Sequence, residues 1–483
     1  MSAFSFSRTG GRRGGLVATL GSAALAAALL LPAGASAARP LDIGFTDSLF
    51  ERDNGNVFVK QAAEVGSSSI RVNAPWNQIA PNEPAAPTNP ADPAYNFTSL
   101  DNAVRNAGAN RLSVLLTTFW APPWAEGPNR PSANVAPPAS WRPDAAAFGQ
   151  FARALATRYS GKYPDPANVG RRLPRVEFFE AWNEPNLSTY ITPQYKGKKN
   201  LSAGIYTDLL NAFYAGVKAV SPGATVVTAG TAPFGDDPGK GRRTRPMNFW
   251  REAWCLKDNN KKAKCKGVKK PKFDILAHHT INVKTSPRSQ PADRKDVVIA
   301  NFKTLTKALR AAERQNTLGT KGKHKVFANE VWWESNPPDK TGVSLRQQAN
   351  YMQEALYLLW KQGARAVYFL QLKDSEFNQG DGQFESYQTG IFTASGKKKP
   401  SYMAVKFPFV TDRKSGSKVT AWGRSPAAGK VTIEIKKGKK FKKLKTVKAK
   451  KRGSVFTTDV RLRGKGQLRA TVGRQKSLVW KQK

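Results

Sequence analysis

Along most of its length the sequence alternates short runs of β-type residues with stretches that have the apolar spacing of a helix. Near-continuous apolar runs are typical of parallel strands that helices cover on both faces. The alternation therefore predicts β-α units rather than an antiparallel sheet. The predicted strands are 42–46, 69–76, 111–119, 175–184, 225–229, 273–280, 325–332 and 366–372, and the predicted helices are 57–64, 100–107, 145–159, 202–220, 297–315 and 344–361.

Eight strands with intervening helices, in a span of this length, favour a closed barrel over an open doubly wound sheet. No Gly-x-Gly-x-x-Gly turn follows the first strand, which disfavours a dinucleotide-binding fold. Because 483 residues with 40% hydrophobic content exceed what one core usually organises, we expect a second, smaller domain. The predicted fold class is α/β, with a (β/α)8 TIM barrel in residues 38–410 and a small all-β, sandwich-like domain in residues 411–483.

Residues 175–186 carry a carboxylate to the end of the fourth predicted strand. Valine and paired phenylalanines favour a half-buried strand, and Pro185 cannot donate to a sheet, so the strand is expected to stop where Glu184 emerges. A carboxylate beside Trp182, at the carboxyl end of a buried strand, lies where α/β enzymes hold a catalytic acid. The alternative is a surface glutamate at a strand end.

The carboxyl ends of the other strands supply the rest of a candidate site, because a barrel places its active site there. Glu330 lies at the end of the seventh strand. Hydrolysis of a glycosidic bond by double displacement needs two facing carboxylates: one protonates the leaving oxygen while the other attacks the sugar. The remaining side chains at these ends are Arg71, Asn73, Trp76, Trp120, Trp124, Asn183, His278, His279, Asn329, Trp332, Trp333 and Glu334.

Two motifs resemble those of the clan A glycoside hydrolases, which are retaining enzymes on a (β/α)8 barrel. The first runs Ala-Trp-Asn-Glu-Pro-Asn at residues 181–186, and the second runs Phe-Ala-Asn-Glu at residues 327–330. The resemblance covers roughly residues 41–410. It implies that Glu184 is the general acid/base and that Glu330 is the nucleophile.

The resemblance also implies roles for neighbouring residues. Asn183 is expected to hydrogen-bond the sugar 2-hydroxyl, and Arg71 to keep the nucleophile ionised. The sixth strand is similar to a segment in which an aromatic hydroxyl follows His279 by two residues. Ile281 stands at that position, so a hydroxyl contact to the nucleophile would need a tyrosine from elsewhere in the chain.

Two carboxylates complicate this assignment. Glu334 also lies near the rim and competes with Glu330 for the role of nucleophile. Glu180 shares the barrel-facing side with Glu184, because strand residues alternate between faces. We interpret it as a buried partner of a base such as Arg71.

The histidines and tryptophans have two interpretations each. His279 is either a site residue or a satisfied core histidine, whereas His278 points to the other side of its strand and is interpreted as structural. Tryptophan stacks on the faces of sugars but is equally good core filler. Their position in predicted loops assigns substrate contacts to Trp120, Trp124 and Trp332.

No cofactor and no metal is predicted. An acidic loop follows the eighth strand, but its spacing matches no known calcium loop, and we interpret it as solvated. Two cysteines without nearby paired histidines are too few for a structural zinc site, and Cys255 and Cys265 are expected to form one local disulfide. The acidic loop contains Asp374, Glu376, Asp381 and Glu385.

Residues 1–37 have the composition of a cleaved export signal. Arginines precede an apolar run over residues 16–31, and Ala-Ser-Ala at 35–37 provides a cleavage site. The run is short and rich in alanine, which favours cleavage over an uncleaved anchor. We expect a secreted bacterial protein whose mature chain begins near Ala38 and has no transmembrane helix. Arg12 and Arg13 are weakly similar to a twin-arginine signal.

Beyond residue 410 the sequence changes to short alternating strands separated by Gly, Pro and Lys turns. Glu434 and Asp459 are almost the only acids of this region. The excess of lysine favours either adhesion to an anionic cell-envelope polymer or a solvated domain whose lysines prevent edge strands from pairing. The predicted strands are 418–422, 430–436, 442–447, 454–462 and 467–472.

The charge of the whole chain agrees with an anionic partner but does not identify it. There are 78 Lys and Arg residues against 34 Asp and Glu, which gives a formal net charge of +44. Nucleic acid is disfavoured, because the aromatic residues lie in the predicted barrel and not in a basic groove. Two functions remain. One is a secreted retaining glycoside hydrolase that cleaves β-O-glycosidic bonds of a polysaccharide or oligosaccharide. The other is a non-catalytic protein that binds glycan or a cell-envelope polyanion.

Overall fold

Eight parallel strands close into a barrel in which neighbours in sequence are also neighbours in space. The computed structural model describes residues 38–378 and 386–483, and the predicted export signal at 1–37 lies outside them. The strands are β1 (Asp42–Thr46), β2 (Ser69–Pro75), β3 (Ser113–Phe119), β4 (Phe178–Ala181), β5 (Thr225–Thr228), β6 (Ile275–His279), β7 (Lys325–Val331) and β8 (Ala366–Leu370). Because β8 pairs with β1, the ring is closed and the predicted (β/α)8 barrel is confirmed.

Inward-pointing side chains fill one part of the barrel interior as a separate hydrophobic cluster. A barrel of eight strands is just wide enough for such side chains to occupy its interior. The cluster is therefore a packed floor, and chemistry is restricted to the carboxyl ends of the strands. Its buried members are Leu115, Val227, Ile275, Ala277, Phe327, Ala366 and Tyr368.

Helices cover the outside of the barrel. Six of them match the predicted segments, and the turns that end them use glycine where expected: Gly66, at φ 101°, follows the first. The predicted helix over 297–315 is split, because a short 3-10 turn at Ile299–Asn301 precedes its main part. The helices are α1 (Asn56–Val65), α2 (Trp76–Ile79), α3 (Thr98–Ala109), α4 (Ala145–Arg158), α5 (Ser202–Val220), α6 (Pro246–Ala253), α7 (Lys303–Arg314), α8 (Leu345–Gln362) and α9 (Pro400–Lys406).

The chain after the barrel forms two antiparallel sheets. One has the order β9-β10-β13; in the other, β11 lies between β12 and β14, and β14 also pairs with β15 and β16. Buried side chains from both sheets share one hydrophobic cluster, as in a sandwich. The strands are β9 (Phe409–Ser415), β10 (Lys418–Arg424), β11 (Gly429–Lys437), β12 (Lys440–Ala449), β13 (Val455–Arg461), β14 (Gly466–Val472), β15 (Gln475–Lys476) and β16 (Trp480–Gln482).

These sheets pack against the amino ends of the barrel strands. The Arg424 guanidinium donates to the carbonyl oxygens of Leu41 and Gly66, which precede β1 and β2. Trp422 packs against Tyr357 of α8 with ring centroids 5.6 Å apart. Residues 38–483 form one compact unit as a result, while the boundary at 410/411 stays a prediction. The carboxyl ends of the strands lie on the opposite side of the barrel.

The predicted disulfide is present between Cys255 and Cys265, with the two sulfur atoms 2.10 Å apart. It closes a short loop after α6. In the part of the chain that the structure describes, no helix is long and apolar enough to cross a membrane.

Candidate active site

Glu184 and Glu330 meet at one histidine. His279, the last residue of β6, has its Nδ1 atom 2.8 Å from Glu184 Oε1 and 3.7 Å from Glu330 Oε2. Since both distances start from one nitrogen, the two oxygen atoms lie within their sum, about 6.5 Å, of each other. The carboxylate side chains remain 14% and 17% exposed, so both are partly accessible to solvent at this end of the barrel.

A fully buried carboxylate beneath the pair holds Arg71 in place. Glu180 Oε2 accepts hydrogen bonds from Arg71 Nε at 2.9 Å and from the Thr117 hydroxyl at 2.6 Å. Its Oε1 accepts from the Gly230 backbone at 3.0 Å and from Asn329 Nδ2 at 2.6 Å. The predicted pairing of Glu180 with Arg71 is therefore present. Because every side of the carboxylate is engaged, the guanidinium has one fixed position.

From that position Arg71 reaches two candidate site residues. Its Nη2 donates to Asn183 Oδ1 at 2.9 Å, and its Nη1 lies 3.6 Å from Glu330 Oε2. Burial alone would lower the pKa of Arg71, but the charges of Glu180 and Glu330 raise it. The guanidinium therefore stays charged beside Glu330.

Two tyrosines that sequence reasoning missed also face the carboxylates. The Tyr190 hydroxyl is hydrogen-bonded to Asn183, and burial followed by the charges of Glu184 and Glu330 raises its pKa. Burial and the charge of Glu330 likewise raise the pKa of Tyr387. Neither tyrosine lies in a predicted strand end, so the sequence carried no signal for them. They bring hydroxyl groups to a region where Ile281 supplies none.

Trp332 touches Glu330 directly. Its indole Nε1 donates to Glu330 Oε1 at 3.3 Å, and its ring packs edge-on against Tyr387. The next residue, Trp333, points away and donates to the Thr285 carbonyl at 2.9 Å. Because successive side chains point to opposite sides, Trp332 lies at the carboxylate of Glu330 and Trp333 lies in the core.

The carboxyl pair and His279 affect one another's ionisation. Burial raises the pKa of Glu330, and Glu184 adds to this effect, whereas His279 and Arg71 oppose it. Burial alone would lower the pKa of His279, but the charges of Glu330 and Glu184 raise it above its ordinary value. The site therefore favours a charged imidazole between two carboxyl groups.

Backbone strain accompanies Glu184. The strand β4 ends at Ala181, earlier than predicted, because Trp182 adopts φ 81° and Glu184 φ 36°. Residues other than glycine rarely hold such angles, and they persist where the surroundings fix them. Glu184 N donates to the Gly230 carbonyl at 3.0 Å, and Trp182 Nε1 donates to the Tyr190 carbonyl at 3.0 Å. Gly230 itself is required, because a Cβ there would stand 2.2 Å from His279.

Of the other predicted site residues, some contact residues of this site and others contact only the core. Trp120 stacks on Tyr190 with an interplanar angle of 14°. Trp124 donates to the Ala80 carbonyl and packs edge-on against buried Trp76, so its described contacts are with the core. His278 is fully buried and bonds Thr231 and the Val297 carbonyl, as expected for a structural histidine.

Two acids after the seventh and eighth strands are packed instead of solvated. Glu334 is 8% exposed and accepts a hydrogen bond from Gln388 N at 2.6 Å, and burial raises its pKa to about 7. Asp374 pairs with Lys399 at 2.9 Å, both nearly inaccessible, so the prediction of a solvated loop is wrong for this residue. The burial of Asp374 depends on its ion pair with Lys399, which is distant in sequence, so no local sequence pattern predicts it. Asp381 and Glu385 lie outside the described residues.

Within residues 38–378 and 386–483, no group of three or more His, Cys, Asp or Glu side chains is arranged to hold a metal ion.

Comparisons with known proteins agree with this architecture. No protein-family model and no curated protein matches the sequence. A family 39 glycoside hydrolase from the gut symbiont Bacteroides cellulosilyticus is similar, with 16% identity and a TM-score of 0.52 over 88% of this chain and 81% of that one. A family 39 enzyme from Xanthomonas axonopodis pv. citri has 13% identity and a TM-score of 0.46, over 88% and 93% of the two chains. A family 39 β-xylosidase from Caulobacter crescentus has 14% identity and a TM-score of 0.46, over 89% and 96%. The first similarity shows that this chain shares its fold with that enzyme.

Proposed function

We propose that the protein is a secreted retaining glycoside hydrolase that cleaves β-O-glycosidic bonds of a polysaccharide or oligosaccharide. The observation that carries the proposal is the position of Glu184 and Glu330 on the same nitrogen of His279, at 2.8 and 3.7 Å. Retaining enzymes hold their two carboxyl groups about 5 to 5.5 Å apart, and inverting enzymes hold them about 6.5 to 9.5 Å apart. The upper bound set by the shared nitrogen favours the retaining arrangement.

The surroundings of the two carboxyl groups support Glu330 as the nucleophile. A nucleophile must be ionised, and Glu330 has a guanidinium at 3.6 Å and an indole N–H at 3.3 Å. Both groups stabilise the carboxylate against the burial that raises its pKa. Glu184 contacts His279 and no described arginine, and it follows the strained turn that projects it from β4. These contacts support the acid and base roles that we propose for Glu184.

The reaction then follows from this pair. Glu184 gives its proton to the glycosidic oxygen while a Glu330 oxygen forms a bond to the anomeric carbon, and the alcohol leaves. Glu184, now ionised, takes a proton from water. The water oxygen displaces Glu330 from the anomeric carbon, which releases the sugar and restores both carboxyl groups. We propose that Asn183 and Tyr190, which are hydrogen-bonded to each other, bind sugar hydroxyls, and that Trp120, which stacks on Tyr190, packs on a sugar face.

The first test is a screen of aryl β-glycosides and polysaccharides with the chain from Ala38 onwards. We expect turnover of at least one substrate, and Glu330→Gln should lower kcat by a factor of about 10⁴ or more. Glu334→Gln is the matched control, because that side chain is packed on Gln388 and should leave kcat unchanged. If Glu334→Gln abolishes turnover and Glu330→Gln does not, the nucleophile assignment is wrong.

The second test labels the nucleophile. A 2-deoxy-2-fluoro glycoside of the accepted sugar, with a good leaving group, should trap the glycosyl-enzyme on the peptide that contains Glu330, as read by mass spectrometry. Glu184→Gln should lose activity mainly on glycosides with poor leaving groups, since only these need the acid. Glycan binding without turnover of any substrate would instead support the alternative, a non-catalytic glycan-binding protein.

Export and an anionic partner of the C-terminal sheets stay predictions. The lysines of β12 are exposed on a strand at the edge of its sheet. Lysines in such a place also prevent pairing with other chains, so their presence does not favour a polymer over edge protection.

A further inference from the structure

A basic groove runs along the outside of the barrel beside α7. It encloses about 800 Å³ and is formed by α7, the carboxyl end of α8, the segment before β1 and the disulfide loop. A second hollow of about 350 Å³ continues it across Lys303, Lys307 and Lys361. We call the two together the α7 groove. Its basic lining residues are Arg39, Lys261, Lys303, Lys307, Arg310, Arg314, Lys323 and Lys361.

Four of these cations form a row on one face of the helix. Lys303, Lys307, Arg310 and Arg314 are spaced by four, three and four residues, which is the spacing of side chains that share a helix face. With a rise of about 1.5 Å per residue, successive residues of the row are offset by about 4.5 to 6 Å along the helix axis, and the row is about 16 Å long. The remaining basic residues flank it.

The protein neutralises only one of the four cations of the row among the residues that the structure describes. Among the described residues, Arg310 pairs with Glu313 and Lys361 with Asp412, whereas Lys303, Lys307 and Arg314 have no ion pair. None of the described residues that line the two hollows is acidic. Like charges at this helical spacing destabilise a helix, so helix stability does not account for the row. A bound polyanion would account for the row.

We propose that the α7 groove binds a linear anionic polysaccharide, separately from the carboxylate site. A linear polymer fits a row of evenly spaced charges in a groove better than a single small anion does. Nucleic acid fits less well, because sites for single strands stack bases on aromatic side chains, and none of the described lining residues of the two hollows is aromatic. This binding is independent of the proposed hydrolysis, because the α7 groove would hold the protein on an acidic polymer whichever bond the barrel cleaves.

The direct test compares two charge reversals of equal size in the chain from Ala38 onwards. The groove variant is Lys303→Glu/Lys307→Glu/Arg314→Glu, and its matched control in β12 is Lys442→Glu/Lys443→Glu/Lys448→Glu. All six side chains are exposed in the folded protein. Each variant therefore changes the net charge equally, and only their location differs.

The probe is fluorescent polygalacturonate, and its binding is measured by anisotropy at several salt concentrations. We expect the groove variant to bind at least tenfold more weakly, with a smaller slope of log K against log salt, and the control to change less than threefold. Equal losses would show that the overall charge is responsible. A loss confined to the control would place the polymer on the C-terminal sheet. Either result overturns the proposal.

Further experiments distinguish carboxylate polymers from phosphate polymers and test whether the variants are folded. Polyphosphate and single-stranded DNA are competitors, and if either binds tightly while polygalacturonate does not, the assigned polymer class is wrong. The neutral variant Lys303→Gln/Lys307→Gln/Arg314→Gln should bind with intermediate affinity. Turnover of an uncharged aryl glycoside should be the same in all three variants, so failure of this proposal is distinguishable from failure of the proposed hydrolysis.

Discussion

The hydrogen bond from Trp332 to Glu330 allows a prediction that separates ionisation from substrate binding. Trp332→Phe removes the indole N–H, which lies 3.3 Å from Glu330 Oε1, and leaves an aromatic ring in a site that is 3% exposed. Because that N–H stabilises the carboxylate, its loss should raise the pKa of Glu330. Less of the nucleophile is then ionised at a given acidic pH.

The size of the effect follows from the geometry. Hydrogen bonds to charged groups contribute about 1.5 to 3 kcal/mol, and one as long as this belongs at the lower end. About 1.5 kcal/mol corresponds to roughly a tenfold change in the ionisation equilibrium. The acidic limb of the pH profile of kcat/KM should therefore move up by about one pH unit. Below that limb, activity should fall about tenfold.

The assay is the pH dependence of kcat/KM on an aryl glycoside that the protein hydrolyses, since this profile reports the ionisation of the free enzyme. Trp333→Phe is the matched control: it also loses an indole hydrogen bond in a buried site, but to the Thr285 carbonyl at 2.9 Å. It should lower stability without moving the limb. If the limb stays in place in Trp332→Phe, or moves equally in both variants, the argument from the contact is refuted.

Three further predictions concern stability. Burial raises the pKa of Glu334 to about 7, so its ionisation destabilises the fold as the pH rises towards and through 7. The free energy of unfolding of Glu334→Gln, relative to that of the parent, should therefore increase by about 3 kcal/mol between pH 5 and pH 8 in urea titrations. Glu180→Gln removes the carboxylate nearest to the buried Arg71 charge, and only the more distant Glu330 remains, so the free energy of unfolding should fall by about 3 kcal/mol in the same titrations. Replacing Cys255 and Cys265 by serine should cost about 2 to 3 kcal/mol, measured against the oxidised parent, without changing kcat.

Each of these has a result that contradicts it. A stability difference for Glu334→Gln that is independent of pH would mean that Glu334 is not the group that titrates. A loss below about 1 kcal/mol for Glu180→Gln would mean that water or another group neutralises the arginine. Full stability of the reduced parent would show that the disulfide loop is already ordered by its other contacts.

The sequence predicted the elements whose local pattern is repeated. All eight barrel strands formed where β-type runs were found, because side chains that must be buried on both faces leave a continuous apolar signal. The predicted strand boundaries were less accurate near the candidate site. The fourth strand stops at Ala181 and not at Glu184, since left-handed backbone at Trp182 and Glu184 is imposed by contacts with distant segments.

The candidate site shows the same division. Glu184, Glu330, Arg71 and Asn183 were predicted because strand ends of a closed barrel converge, and the structure brings them, with His279, into one network of hydrogen bonds and ion pairs. Their catalytic roles stay predictions. Tyr190 was missed because a loop residue is placed by the packing of its whole loop, which no spacing rule describes.

By itself, the sequence determined which strands form and which carboxyl groups reach the open end of the barrel, because periodicity and strand direction are local properties. Only the tertiary structure decided the ionic environment of each group. It surrounded Glu180 with donors, buried Asp374 against Lys399, and lined up the cations of α7 in a groove whose described lining residues include no acid. Coulomb energies and desolvation depend on which distant residues come within a few ångströms, and that is settled by the closure of the barrel and not by the order of the residues in the chain.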